Sequence, residues 1–180
     1  NGNIIPDRTP KQRKNNTKFT FARYMFAFIR KRFGDLPVWK IAAAQRGMTD
    51  DNLIQSTNYK YLDEKGKILD MEGFQVSLGP LALPLNLRAT RNGTLVSITW
   101  DDPRDEPSAA PTDRMMVGIF YADYRNTFTL EKETGATRRD GKCEITLRDD
   151  DGEVCIHPFF ARADNTAFSE DKAITLPDTE

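Results

Sequence analysis

The sequence predicts an α+β fold, with a short N-terminal helical region followed by an antiparallel β-sandwich, and three observations predict it. Residues 9–34 read TPKQRKNNTKFTFARYMFAFIRKRFG, apolar at helical spacing between helix start and stop signals. Beyond residue 83, short β-prone runs alternate with turn-rich pieces such as RNG and DDPRDEPSAAPTD. Between the two regions, GPLALPLN is a proline-rich crossing. The chain divides into a helical region at 1–64, a β-prone linker at 65–82 and a sandwich at 83–177.

The first helix is punctuated at both ends. Thr9 is the expected N-cap, Pro10 takes the first helical position, where its missing N–H leaves nothing unpaired, and Gln12 completes a capping box. Phe19, Ala22, Phe26, Ile29 and Phe33 recur at steps of three or four residues, with Tyr24, Met25 and Phe28 widening the stripe. Phe19, Phe26 and Ile29 are therefore expected to be buried. Gly34 supplies the left-handed C-cap. Arg30, Lys31 and Arg32 fall in the last turn, where each cation stabilises the negative end of the helix dipole by roughly 0.3–1 kcal/mol. Val38, Ile41, Ala42 and Gln45 predict a second short helix ending at Gly47, with Trp39 as an apolar body beside it. Thr49 caps a third that runs from Asp50 to Tyr59. Gly66, Ile68, Leu69, Gly73, Phe74, Val76 and Leu78 then predict a β pair around a turn.

Strands are expected at 83–90, 94–100, 114–121, 127–131, 142–148, 153–163 and 172–176. Seven short strands in so few residues are the signature of a sandwich. Leu95, Val96, Ile98 and Trp100 are assigned to one face of the second strand, and Val154, Ile156 and Phe160 alternate along the sixth. Trp100 is a core residue on this reading.

Charge divides the chain more sharply than the total suggests. Of 180 residues, 38% are hydrophobic and 29% charged, with a net charge of −1. Residues 1–40 hold ten Lys and Arg against two Asp and Glu, a net +8, which leaves −9 for residues 41–180. The two parts attract each other or serve different partners. No apolar run of about 18 residues occurs, and no signal-peptide apolar segment is visible, so a soluble protein of undecided location is expected.

The candidate chemistry is sparse. His157, the single histidine, lies in a predicted strand with no Gly-x-Ser-x-Gly motif and no second histidine, so a structural role is expected. Cys155 shares its sheet face, which makes a Cys–His pair conceivable, although neighbours along one strand seldom meet in nucleophile–base geometry. Cys143 and Cys155 are expected on opposite sheets, as buried thiols or a cross-core disulfide. Asp101, Asp102, Asp105 and Glu106 form one acidic cluster and Asp149, Asp150, Asp151 and Glu153 another, without the EF-hand spacing. Both read as solvated turns. No phosphate-binding Gly-x-x-x-x-Gly-Lys-Ser/Thr loop occurs.

The runs NLRAT and TLVSITWDDP, followed by VCIHPFFARADNTAFSE and AITL, resemble a fibronectin type III domain over residues 81–177. The resemblance implies an Ig-like sandwich. Two departures stand out: no tyrosine starts the sixth strand, and Pro158 interrupts it, so a bend or an unpaired edge is expected there. Over the whole chain the order of segments is similar to a family of uncharacterised bacterial proteins, a domain of unknown function. That family opens its helix with Thr-Pro/Glu-x-Gln-x-x-x-Arg-x-Lys-Phe and carries Ser-x-Gly-x-Leu before the sandwich. Thr9, Pro10, Gln12, Lys18 and Phe19 match the first motif, and Ser77, Gly79 and Leu81 approach the second. Similar helices open some phage-encoded proteins.

The resemblance implies a fold and brings no catalytic residue. A non-enzymatic structural or protein-interaction role follows as the expectation, in a surface or virion-type assembly. The alternative is an accessory protein that binds carbohydrate or nucleic acid. A protein partner or self-assembly is expected, with no cofactor and no metal. Lys11, Arg13, Lys14 and Lys18 form the candidate interaction surface. Against a nucleic-acid arm or a membrane-surface helix, the leading reading of the basic, aromatic helix is a packing element with its cations turned outward.

Overall fold

The computed structural model describes residues 9–148 and 152–178, residues 14–16 by their backbone alone. Helix α1 runs Pro10–Phe33. Its start is set locally, because the Thr9 hydroxyl accepts from the Gln12 N–H at 3.2 Å and the Gln12 side chain accepts from the Thr9 N–H at 2.9 Å. Its end is Gly34, whose N–H donates to the carbonyls of Arg30 and Lys31 and whose φ of 58° turns the chain out of the helix, at a ψ of −123° rather than in the left-handed helical cap expected. Helices α2 (Val38–Ala44) and α3 (Asp50–Asn58) follow. Thr49 caps α3 by accepting from the Asn52 N–H at 3.2 Å. Asp51, in the first turn of α3, also meets Arg30 of α1 at 2.6 Å.

Ala22, Met25, Phe26, Ile29 and Phe33 are buried, so the C-terminal half of α1 packs. The predicted stripe fails at two positions: Phe19 is 45% exposed and Tyr24 is 70% exposed. Tyr24 stands two residues from Phe26, which rotates it to the far side of the helix. Phe19 fails for a different reason. A helix of this length reaches about 36 Å, and the body beneath it ends near Tyr59, whose ring lies 6.4 Å from that of Phe19.

Residues 65–82 form no strand, contrary to the β pair expected there. The segment makes only the isolated bridges Leu62↔Ile68 and Leu81↔Ser169. Side chains have taken the backbone donors that a strand would have offered: the Gly73 N–H goes to Asp70, Gln75 to Asn58, and Val76 and Ser77 to Asp171.

Seven strands build the sandwich: β1 (Leu85–Asn92), β2 (Leu95–Asp101), β3 (Arg114–Tyr121), β4 (Thr129–Glu131), β5 (Lys142–Thr146), β6 (Val154–Ala161) and β7 (Ile174–Leu176). One sheet has the order β1-β2-β5 and the other β4-β3-β6-β7, with every strand ladder antiparallel. Between the sheets, Val117, Ile119, Ile156 and Phe160 meet Val96, Ile98, Trp100 and Ile145. Met116, Phe120, Cys155 and Phe159 point the other way, onto Phe26, Ile29, Phe33 and Phe74. The four-stranded sheet is therefore buried on both faces, with helices on one side and the second sheet on the other. That explains why β3 and β6 are apolar nearly throughout rather than alternating.

Trp100 is buried as expected, edge-on to Phe160 at 5.8 Å, with its Nε1–H donated to the Arg138 carbonyl at 2.8 Å. Leu95 does not share its face. Alternation places it opposite Val96, and it is exposed. Pro158 sits within β6 without breaking the ladder to β3, which stays in register from Val154 to Ala161. The Pro158 carbonyl accepts from the Lys172 N–H at 3.1 Å, so its missing donor faces the 168–172 turn, beyond the end of the β7 pairing at Ile156.

Candidate functional site

His157 lies on the outer face of β6, sealed beneath the 70–78 segment. Its Nδ1–H donates to Asp171 Oδ2 at 2.6 Å and its Nε2–H to the Met71 carbonyl at 2.7 Å, with Cys155 Sγ 3.4 Å from Nε2. Both ring nitrogens donate, so the ring is an imidazolium. Burial by itself lowers the pKa of such a ring, but the hydrogen bond to the Asp171 carboxylate, helped by Cys155, overrides burial and lifts it to about 9. Cys155 and His157 do meet side by side, which strand spacing alone argued against. They meet in the core with no exposed surface, and the second oxygen of the same aspartate accepts from the N–H groups of Val76 and Ser77 at 3.1 Å each.

The pair is thus a clasp that fastens the linking segment to the sandwich. Ser77 Oγ extends it by donating to the Ser169 carbonyl at 2.6 Å, and the Leu81 N–H reaches the Phe168 carbonyl at 3.0 Å. Gly79 lets the backbones touch, because a Cβ there would lie 2.0 Å from the Phe168 oxygen. The Ser77-x-Gly79-x-Leu81 motif is this contact.

A pH dependence follows from the clasp. The histidine is charged in the folded chain up to about pH 9 and in the unfolded chain only to about 6.5. Its stabilisation is complete below pH 6.5 and is lost as the pH rises through 9. Urea unfolding at about pH 6 and about pH 9.5 is expected to differ by of order 3 kcal/mol, with the lower stability at high pH. In His157→Gln that difference should shrink; an unchanged pH slope in the variant would rule the clasp out as its source.

The acidic cluster after β2 is not a solvated turn throughout. Asp101, Asp105 and Glu106 are exposed, but the Asp102 side chain is buried between Arg104 at 2.7 Å and Arg138 at 2.6 Å. Burial alone would raise this carboxyl; hydrogen bonds from Arg104 and Arg138 outweigh it and hold the group below the usual carboxylate range. Arg138 is itself buried, donates to Asp113 at 3.0 Å and to the Ala82 carbonyl at 2.8 Å, and lies 4.2 Å over the Phe160 ring. Arg162 closes the network on Asp113 at 2.9 Å. Arginines, not a metal ion, neutralise these carboxylates. Among the described residues no group of three or more His, Cys, Asp and Glu side chains gathers as a metal site. Asp149, Asp150 and Asp151 of the second cluster lie outside the described residues.

Both cysteines are free and buried. The cross-core disulfide fails because Cys143 points between the sheets while Cys155 points outward, toward the helices. Burial pushes the Cys143 thiol up, against a smaller downward pull from Thr134.

The remaining candidate is α1. Lys11 and Arg13 are exposed near its start, and Lys18 is half-buried with its Nζ 4.2 Å above the Tyr59 ring. The Lys14 side chain lies outside the described residues. Among and beyond these cations stand Phe19, Tyr24 and Phe21, the last 44% exposed. Between α1 and α3, Phe19, Met48 and Tyr59 floor an open groove of about 900 Å³.

The sheets β1-β2-β5 and β4-β3-β6-β7 make a seven-stranded antiparallel sandwich among the described residues. No family model and no curated protein matches the chain. Among solved structures it is similar to one described as "Myokine structure", at 17% identity and TM-score 0.40, covering 56% of this chain and 99% of that one. It is also similar to the chicken CNTN1 FN1–FN3 domains, at 7% identity and TM-score 0.41, covering 58% of this chain and 34% of that one. A third is the rat CD45 extracellular region, domains d3–d4, at 11% identity and TM-score 0.34, covering 53% and 49%. No residue role passes across these likenesses.

Sequence reasoning named the cations of the α1 surface but not the groove. Met48 and Tyr59 belong to it only because α3 crosses α1 there. The one signal available was the excess of aromatics in residues 19–28 over what a single packed stripe needs. No helix among the described residues is long and apolar enough to cross a membrane.

Proposed function

We propose that this is a non-enzymatic protein-interaction or structural protein whose sandwich is a scaffold and whose α1 is the docking element. One observation carries the reading: Phe19, Phe21 and Tyr24 stay open to solvent on a well-capped helix, beside the cations Lys11 and Arg13. Exposed aromatics on a folded element mark recognition sites more often than stability. The polar groups with chemical potential are absorbed elsewhere, His157 in the clasp and Asp102 and Asp113 among arginines. Similarity of the Thr9–Phe19 motif to helices of bacterial and phage-encoded proteins extends the proposal to a surface or virion-type assembly. An accessory protein that binds nucleic acid or carbohydrate is the second reading, favoured by the same exposed cations and by Tyr24.

A photoreactive phenylalanine analogue at position 24, in the protein expressed in its own host, tests the choice. The expected product is a covalent adduct that protease destroys and nuclease and glycosidase leave intact. The triple reversal Lys11→Glu, Arg13→Glu, Lys14→Glu should reduce that adduct while moving stability by less than about 0.5 kcal/mol per site. A nuclease- or glycosidase-sensitive adduct, or none at all, overturns the reading.

A further inference from the structure

The groove between α1 and α3 has a character that narrows its occupant. Its floor is apolar, made by Phe19, Met48 and Tyr59, and Met48 is 38% exposed. Its wall is neutral, from Asn52 and Gln55 of α3. Among the described residues no carboxylate lines it, and Lys18 is the cation that does. A second hollow of about 400 Å³ shares Phe19, Asn52 and Gln55 with it and adds Arg23, Arg30 and Asp51. Arg30 is partly neutralised there by Asp51 at 2.6 Å. Farther along the helix toward its start come Lys11 and Arg13, both exposed.

A concave site of this size, within the range of roughly 300–1,000 Å³ in which ligands are commonly buried, asks for apolar groups in its floor and negative charge around its rim. Nucleic acid satisfies the rim but not the floor. Phosphate recognition works by neutralising several phosphates at once, whereas Lys18 is the cation that the described residues place at this groove. Bases would stack on Phe19 and Tyr59, but Met48 between α2 and α3 adds no ring to that surface. Methionine adapts instead to branched or aromatic side chains of another protein. Two helices side by side, with an apolar seam and charged flanks, are the geometry in which an amphipathic segment docks.

We propose that this groove binds an acidic segment of a partner protein, which inserts a leucine or phenylalanine between Phe19 and Met48 and sets its carboxylates against Lys18 and, two turns earlier on the same face, Lys11. The proposal rests on the reading of α1 as the docking element and adds the chemistry of what it docks.

Fluorescence anisotropy on the full chain tests it with a labelled amphipathic peptide of glutamates carrying leucines at i and i+4. Three comparison probes are used: the same peptide with serine for leucine, the same peptide with lysine for glutamate, and a single-stranded oligothymidylate. Binding of the acidic leucine peptide alone is expected, in the range of about 10–100 μM. Met48→Glu should weaken it at least tenfold with an unchanged melting curve, and Phe19→Ser, the independent second variant, should weaken it as much while the chain stays folded. Equal binding of the serine peptide, tighter binding of the lysine peptide or of oligothymidylate, or no binding by about 1 mM overturns the proposal. The two readings fail separately. A protein adduct from position 24 that survives Met48→Glu and Phe19→Ser removes the groove and leaves α1 as a docking element; absence of a protein adduct when Met48 and Phe19 are intact removes both.

Discussion

Asp113→Ala is expected to destabilise the fold by about 3–5 kcal/mol, because it strands the buried guanidinium of Arg138 without one of its two carboxylates. Asp113 is fully buried and accepts from Arg138, from Arg162 and from the Ala110 N–H. Removing its side chain leaves those donors unmet, where each unsatisfied buried group costs about 1–3 kcal/mol, more when charged. Urea unfolding measures it, with the denaturant slope as a check that the unfolded state is unchanged. The double variant Arg138→Met, Asp113→Leu sharpens the test, since replacing both charges with apolar groups should cost much less than the sum of the single changes. A loss below about 1 kcal/mol in Asp113→Ala, or strict additivity in the cycle, would mean that the network contributes little and that Trp100 and Phe160 close this end of the core unaided.

What could be read from the sequence was mostly local. Thr9, Pro10 and Gln12 specify a helix start within four residues, and Thr49 does so for α3, so no distant contact is needed to place either. Strand β2 was legible because Val96, Ile98 and Trp100 obey the period of two. In β6 the same rule caught Val154, Ile156 and Phe160 and passed over the other half. Cys155 and Phe159 are buried as well, against the helical layer, and His157 beneath the 70–78 segment; an apolar run interrupted only by that histidine was the available sign of it.

Long-range polar pairing was not legible. His157 finds Asp171 and the carbonyl of Met71, fourteen and eighty-six residues away. No spacing rule connects them, because the contact exists only after the linker has crossed the sheet. The error over residues 65–82 has the same origin: Ile68, Phe74 and Val76 have strand-like side chains, and their segment became a strap because Asp171 and Asn58 satisfied its backbone first. Helical periodicity likewise names a face of α1 but not how far along it the neighbouring elements extend.

That last distinction gives the second large effect, Phe26→Ala at about 3–5 kcal/mol, the range for truncating a buried aromatic. Phe26 is buried, and its ring lies 6.4 Å from that of Phe74, which in turn meets Phe120 of β3 at 5.1 Å edge-on. The alanine leaves a cavity where α1, the 70–78 strap and the four-stranded sheet come together, a region that rigid helices and a ladder cannot easily close. Phe19→Ala, seven residues earlier on the same stripe, should cost no more than about 1 kcal/mol, since a half-exposed ring has much less to lose on truncation. Tyr24→Ala should fall within about 0.5 kcal/mol of the parent. Thermal and urea unfolding of the three variants side by side decides the matter. Similar losses at Phe19 and Phe26 would show that the first half of α1 packs as firmly as the second, and the exposed rings would then be part of the core rather than a surface held open for a partner. A steep fall from Phe26 to Phe19, joined to loss of peptide binding in the Phe19 variant alone, would divide the helix at about residue 22 into a half that folds and a half that binds.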